Sequence, residues 1–168
     1  MIQYLLLVSR QGKVRLAKWY CTLSPKEKTK IMRDCSTMVL SRSAKFCNVV
    51  TEHKKDTKLI CKRYASLFFI ACIDGDDNEL ITLETIHLFV EVLDKYFGNV
   101  CELDLIFNFH KAYYILDEVL LGGELQESSK KTILRYIQTH ESLAEESESQ
   151  ASSVASTVVG TVVAAISK

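Results

Sequence analysis

The sequence predicts an α/β protein of the α+β kind: a five-stranded, mostly antiparallel sheet with helices on its faces, in the order β-β-α-β-β-β-α-α-α. Three observations carry this. Short apolar runs in the first 74 residues are separated by brief turns, as in hairpins. One strongly capped helix interrupts them at Ser24. After Asn78 the apolar spacing changes from strand-like to helical.

Residues 2–8 (Ile-Gln-Tyr-Leu-Leu-Leu-Val) are apolar enough for a strand covered on both faces. Ser9-Arg10-Gln11-Gly12-Lys13 is a turn, and Val14, Leu16 and Trp19-Tyr20 continue as a second strand pairing back on the first. In Ser24-Pro25-Lys26-Glu27 the serine can cap, proline suits the first helical position, and glutamate three residues on completes a capping box. Ile31, Met32, Cys35, Met38 and Val39 then recur at helical spacing, which predicts a helix over 25–42. Phe46–Glu52, Leu59–Tyr64 and Leu67–Cys72 read as three strands, with His53–Asp56 as the first turn between them. Asp74-Gly75-Asp76-Asp77-Asn78 closes the strand region with turn chemistry.

Leu83, Ile86, Val90, Leu93 and Phe97 lie on one face of an amphipathic helix. Gly98-Asn99 ends it. A further helix is expected from Glu102 to Leu121, with apolar residues around most of its circumference and hence a central position, stopped by Gly122-Gly123. Ser128 can cap a last helix to about 144, with Ile133, Leu134 and Ile137 inward. The expected organisation is one domain over 1–144 and a flexible Ser/Glu/Ala/Val-rich tail over 145–168. Val158–Ile166 is apolar but too short to span a bilayer.

Composition excludes several classes. The chain has 168 residues, 48% of them apolar, and a formal net charge of zero. The charge is divided: residues 1–65 carry 15 Lys/Arg against 4 Asp/Glu, and residues 66–168 carry 6 against 17. A basic half suits an anionic surface or an acidic ligand, or simply the packing of two halves of one fold. The six cysteines are scattered without a CxxC pair, as expected for reduced core thiols. The start lacks the basic region and cleavage site of a signal peptide.

Catalytic and cofactor motifs are absent: no GxSxG, GxxxxGK[ST], GxGxxG or HExxH. Neither an enzyme nor a cofactor is expected. Glu84 and His87 share a helix face, which reads as solvated surface. Asp74–Asn78 resembles the start of a calcium loop, but its twelfth position is Thr85, not Glu. Lys62-Arg63-Tyr64 with Phe68-Phe69 mixes basic and aromatic residues, yet no nucleic-acid motif surrounds it and no nucleic-acid partner is expected.

Longer blocks say more. Leu5–Lys13 with Lys18-Trp19-Tyr20, Lys62–Phe69, Asp77–Glu84, Tyr96–Asp104, Ile106–Phe109 and Gly122-Gly123 stand in the order of the small (sigma) chains of clathrin-associated adaptor complexes, which this chain resembles over residues 1–143. The Ser9–Lys13 and Asp77–Glu84 blocks are most like the sigma chain of the trans-Golgi/endosomal complex, less like the plasma-membrane type. Ser43-Ala44 departs from a Lys-Pro pair of that pattern, and the tail matches nothing in it.

The resemblance implies a longin-like fold, no catalysis and no cofactor. It implies a heterotetramer with two large chains and one medium chain. Clathrin and a small GTPase would be reached indirectly through the large chains, from the cytoplasmic side of trans-Golgi and endosomal membranes. It also implies that, with a large chain, the protein holds acidic dileucine signals in the cytosolic tails of transmembrane cargo. Residue by residue, the implied pocket is Ala65, Leu67, Val90, Val100 and Leu105, with Asn99 at its rim and Arg15 facing the acidic residue. Without the resemblance the leucines and valines would read as plain core. The alternatives are a coatomer small chain, a SNARE-like N-domain or a plasma-membrane adaptor small chain. A SNARE requires heptads that 145–168 do not contain.

Overall fold

A hairpin opens the chain. Strands β1 (Ile2–Ser9) and β2 (Val14–Trp19) pair antiparallel, with Leu6 opposite Ala17. The Ser9 hydroxyl accepts from the backbone N–H of Gln11 and Lys13 at 3.3 and 3.2 Å, and Gly12 takes the positive φ (78°) that the turn needs. This computed structural model describes residues 1–41, 49–54 and 56–147. Ser43-Ala44, the start of the expected strand at Phe46, Lys55 of the turn, and the tail segment Val158–Ile166 lie outside the described residues.

Helix α1 (Pro25–Ser41) begins on the expected capping box. The Ser24 N–H and hydroxyl donate to Glu27 Oε2 at 2.9 and 2.7 Å, and the Glu27 N–H donates back to Ser24 Oγ at 3.4 Å. Strands β3 (Val49–Lys54), β4 (Thr57–Tyr64) and β5 (Leu67–Asp74) complete a five-stranded sheet in the order β2-β1-β5-β4-β3. Every pairing in it is antiparallel.

Both sheet faces are covered, which is why β1 and β5 read as almost unbroken apolar runs. Tyr4, Leu6, Val8, Ile70 and Cys72 meet Ile31 and Cys35 of α1. Leu5, Leu7, Phe69 and Ile73 face Ile86, Phe89 and Leu93 of α2 (Glu79–Phe97), with the later helices beyond. The layered arrangement is the longin-like one. Helix α2 starts where Asn78 Oδ1 accepts from the Leu80 N–H at 2.9 Å and ends at Gly98 (φ 67°).

The region after Asn99 departs from expectation. The single helix expected over Glu102–Leu121 is two, α3 (Glu102–Phe107) and α4 (Phe109–Val119). Asn108 separates them. Its N–H donates to Asp104 O at 2.8 Å, ending α3, and its carbonyl accepts from Lys111 and Ala112 at 3.0 and 3.3 Å, starting α4. Nor are these helices central. Leu105, Ala112, Ile115, Leu116 and Val119 are buried, while Leu103, Phe107, Phe109 and Tyr114 are exposed.

Gly122-Gly123 is not a helix stop either. It is the two-residue turn of a small hairpin, β6 (Leu120–Leu121) and β7 (Glu124–Leu125), with positive φ at both glycines (60° and 86°). The hairpin lies on the start of β1: the Ile2 N–H donates to Gly123 O at 2.9 Å, and a Cβ on Gly123 would stand 2.2 Å from Ile2 O. A last helix, α5, covers residues 130–147. Its start is held by Ser129, not Ser128, through Thr132 N–H to Ser129 Oγ (3.4 Å) and Ile133 N–H to Ser129 O (3.0 Å). Ile133 and Ile137 are buried and Leu134 packs against the core.

Candidate functional site

Three segments distant in sequence meet at one end of the sheet. The first is the β4–β5 hairpin. Tyr64 pairs with Leu67, so Ala65-Ser66 forms the loop, and Ala65 adopts a left-handed φ of 51°. Arg63 Nε donates to Ala65 O at 2.9 Å and steadies the turn. The second is the C-terminal half of α2. The third is the turn from α2 into α3, organised by Asp94. Its carbonyl accepts from Gly98 and Asn99 at 2.9 and 3.2 Å, and its Oδ1 accepts from the Val100 N–H at 3.1 Å. The Cys101 N–H donates to Asp104 Oδ2 at 2.8 Å, which fixes the start of α3 and holds the Asp104 carboxyl below its ordinary value.

Between these segments is a cleft of about 330 Å³, at the lower end of the range of roughly 300–1,000 Å³ typical of ligand sites. Ala65, Leu67, Val90, Val100 and Leu105 all line it. Leu67 and Leu105 are buried and form its floor. Val90 and Val100 are half-buried and pack against the core. Ala65 is exposed at the lip. Phe69 and Leu93 add apolar wall, while Asp94 and Glu102 add carboxylates. An apolar interior with a few polar groups accepts aliphatic side chains from an otherwise wet segment.

The remaining two expected residues stand outside the lining. Asn99 is exposed in the turn before Val100, with φ 69°. Arg15, on β2, reaches the site through Glu102: its Nε and Nη2 both donate to Glu102 Oε1, at 2.9 and 2.8 Å. Sequence reasoning missed Glu102 and Tyr64. Only Leu93 and Asp94, at three and four residues from Val90, carried a helical-face signal. Tyr64 stacks on His87 with ring centroids 6.0 Å apart, and its hydroxyl lies 3.1 Å from His87 Nδ1. Burial, reinforced by Glu84 and Glu91, raises the Tyr64 phenol above its ordinary value.

Other candidates resolve into structure. Asp74 and Asp77 bind the Met1 amino group, Asp74 also accepts from Gln3 Nε2 at 2.7 Å, and Asn78 caps α2. Among the described residues no group of three or more His, Cys, Asp or Glu gathers as metal ligands would, and no helix is long and apolar enough to cross a membrane. A second groove, about 420 Å³ between α4 and α5, is lined by Tyr114, Ile137, Ala144 and several acidic groups. Two of those acids are paired, Asp117 with Lys18 and Glu141 with Lys111.

Comparison with known proteins bears on the family and the fold. The profile of the clathrin adaptor complex small chain matches residues 1–144. AP-1 complex subunit sigma-2 of Arabidopsis thaliana is 59% identical over 152 residues, 90% of this chain and 93% of that protein. AP-1 complex subunit sigma-1 of Schizosaccharomyces pombe is 62% identical over 150 residues, 89% and 88% of the two chains. AP-1 complex subunit sigma-1A of Homo sapiens is 55% identical over 152 residues, 90% and 95%. In three dimensions the chain resembles one in a homology model of the full-length AP-3 complex in a stretched open conformation. The TM-score is 0.69 at 28% identity, covering 89% of this chain and 99% of that one. The chain therefore belongs to the clathrin adaptor complex small chain family, a family of non-enzymatic trafficking subunits, and is sigma-like of the AP-1 kind.

Proposed function

We propose that this chain is the small subunit of a heterotetrameric adaptor with two large chains and one medium chain. With a large chain, it binds acidic dileucine signals in the cytosolic tails of transmembrane cargo moving between the trans-Golgi network and endosomes. The protein is cytosolic and sits on those membranes and on clathrin-coated vesicles peripherally, reaching clathrin and the small GTPase only through the large chains. Residues 1–144 form the working domain and 145–168 a tail.

One observation carries the reading. Ala65, Leu67, Val90, Val100 and Leu105, far apart in sequence, converge on a single open apolar cleft. Burying a leucine side chain is worth roughly 1.5–3 kcal/mol. Ordering an extended peptide consumes much of the gain from two, so micromolar binding is expected. Exposed Leu103, Phe107, Phe109 and Tyr114 on α3 and α4, and Leu80, Ile81, Leu121 and Leu125 elsewhere, support the presence of covering subunits.

The test is Val90→Asp in the assembled complex. Val90 is half-buried at the wall of the cleft, so a carboxylate there places a charge where an aliphatic side chain should sit. Binding of an acidic dileucine peptide falls more than tenfold, while the tagged chain still co-purifies with two large chains and one medium chain in equal amounts. Undiminished peptide binding, or collapse of the assembly, overturns the assignment.

A further inference from the structure

The cation that the site offers to an acidic signal is already engaged. Arg15 donates from Nε and Nη2 to one oxygen, Oε1 of Glu102, and both side chains are half-buried, at 21% and 27% exposure. Glu102 is also part of the cleft lining, at the first residue of α3. Its second oxygen accepts no hydrogen bond among the described residues. The other cleft carboxylate, Asp94, is committed to the Val100 N–H.

We propose that Glu102 is an internal competitor for Arg15: it occupies the guanidinium in the empty site, the carboxylate of the incoming peptide must displace it, and it thereby limits how strongly binding depends on that acid. This rests on the cleft being the acidic dileucine site. An arginine has five donors, and two of Arg15's point at a single oxygen. Exchanging one carboxylate for another conserves the ion pair. The peptide gains only the difference between its own pair and the one it breaks, and the released Glu102 is exposed enough to turn towards water. An arginine without an internal partner would reward the acid in full.

The experiment uses the assembled complex carrying wild-type chain, Glu102→Gln, Glu102→Ala, Arg15→Ser, or Arg15→Ser with Glu102→Gln. Two dileucine peptides are titrated, identical except that glutamine replaces the upstream acidic residue in one. The reading is the ratio of their affinities. Glu102→Gln and Glu102→Ala each raise the preference for the acidic peptide by roughly two- to fivefold, the range of a partly exposed ion pair. In the Arg15→Ser background Glu102→Gln leaves that preference unchanged. A preference that stays constant or falls when Glu102 is replaced overturns the proposal, because Glu102 then holds Arg15 in place and does not compete for it. Wild-type complex that binds neither peptide overturns the site assignment itself, a result distinct from any change in preference.

Discussion

The hydroxyl of Tyr113 closes the outer edge of β2 at Ala17, accepting from the Ala17 N–H at 3.0 Å and donating to the Ala17 carbonyl at 3.2 Å. β2 ends the sheet on this side, and an edge strand presents unpaired backbone groups that invite association. One side chain from α4 satisfies both groups at this position. Tyr113→Phe keeps the ring and loses the pair of bonds. At this half-buried site the expected cost is about 1 kcal/mol, or roughly 2–4 °C in Tm for a chain of this size. Thermal denaturation checks it; an unchanged Tm would mean that water replaces the hydroxyl without loss.

Glu141 ties α5 to its neighbours. It pairs with Lys111 Nζ on α4 at 2.9 Å and accepts from the Tyr96 hydroxyl on α2. Burial pushes the Glu141 carboxyl up, but the Tyr96 hydroxyl and the Lys111 ammonium outweigh it and hold the carboxyl below its ordinary value. A carboxylate depressed on folding stabilises the protein above its unfolded pKa of about 4.3, and that contribution is lost as pH falls through the lower folded value. Solvent screening of this one-third-exposed side chain keeps the contribution to a fraction of about 1 kcal/mol. Glu141→Gln therefore lowers Tm by about 1–2 °C at pH 7. The wild-type and variant curves converge below about pH 4. A constant gap from pH 7 to pH 3 would show that the ionised carboxylate contributes nothing.

Where local chemistry decides an element, the sequence was readable. Ser24 with Glu27 and Gly98 at the end of α2 sit where their side chains or φ values require, whereas Asn78, read only as the end of a turn, proves to be the cap of α2. Asn108 was not readable, because the apolar spacing runs across it and neither glycine nor proline marks the break. Gly122-Gly123 read as a helix stop and not as a hairpin, since the acceptor role of Gly123 towards Ile2 is a contact between opposite ends of the domain. The cleft is similar. From their spacing alone Leu67 and Leu105 are core, and both are indeed buried. Only the family resemblance singled them out as a floor. The pairing of Arg15 with Glu102 joins positions 87 residues apart and has no local signal.

The cysteines divide by position. Cys35, Cys61 and Cys72 are buried between α1 and the sheet, and burial pushes the Cys35 thiol up to about 12. At pH 8 only about one Cys35 in ten thousand is thiolate, the form that reacts. Cys101 is exposed and Cys21 half-buried. Among the five described cysteines, iodoacetamide at pH 8 should modify Cys101 first and Cys21 more slowly, with Cys35, Cys61 and Cys72 protected until denaturant is added, as read by peptide mass spectrometry. Labelling of Cys35 at the rate of Cys101 would show that α1 lifts from the sheet in the native protein.

Every buried apolar side chain among the described residues lies between Ile2 and Ile137, and α5 extends ten residues beyond the last of them, to 147. The core on each face of the sheet is thus closed by residues that precede the tail. Removing residues 148–168 should leave Tm within about 1 °C, because the buried residues described on both faces of the sheet all remain in the shortened chain. The groove between α4 and α5 provides the contrary case. It is lined by Ile137 and Ala144 near the end of α5, within reach of Val158–Ile166 folding back, since eleven extended residues span about 36 Å. A loss of several degrees on truncation, reproduced by Ala144→Glu in the full chain, would place that apolar segment in the groove. Truncation without thermal effect leaves the domain self-sufficient at 147.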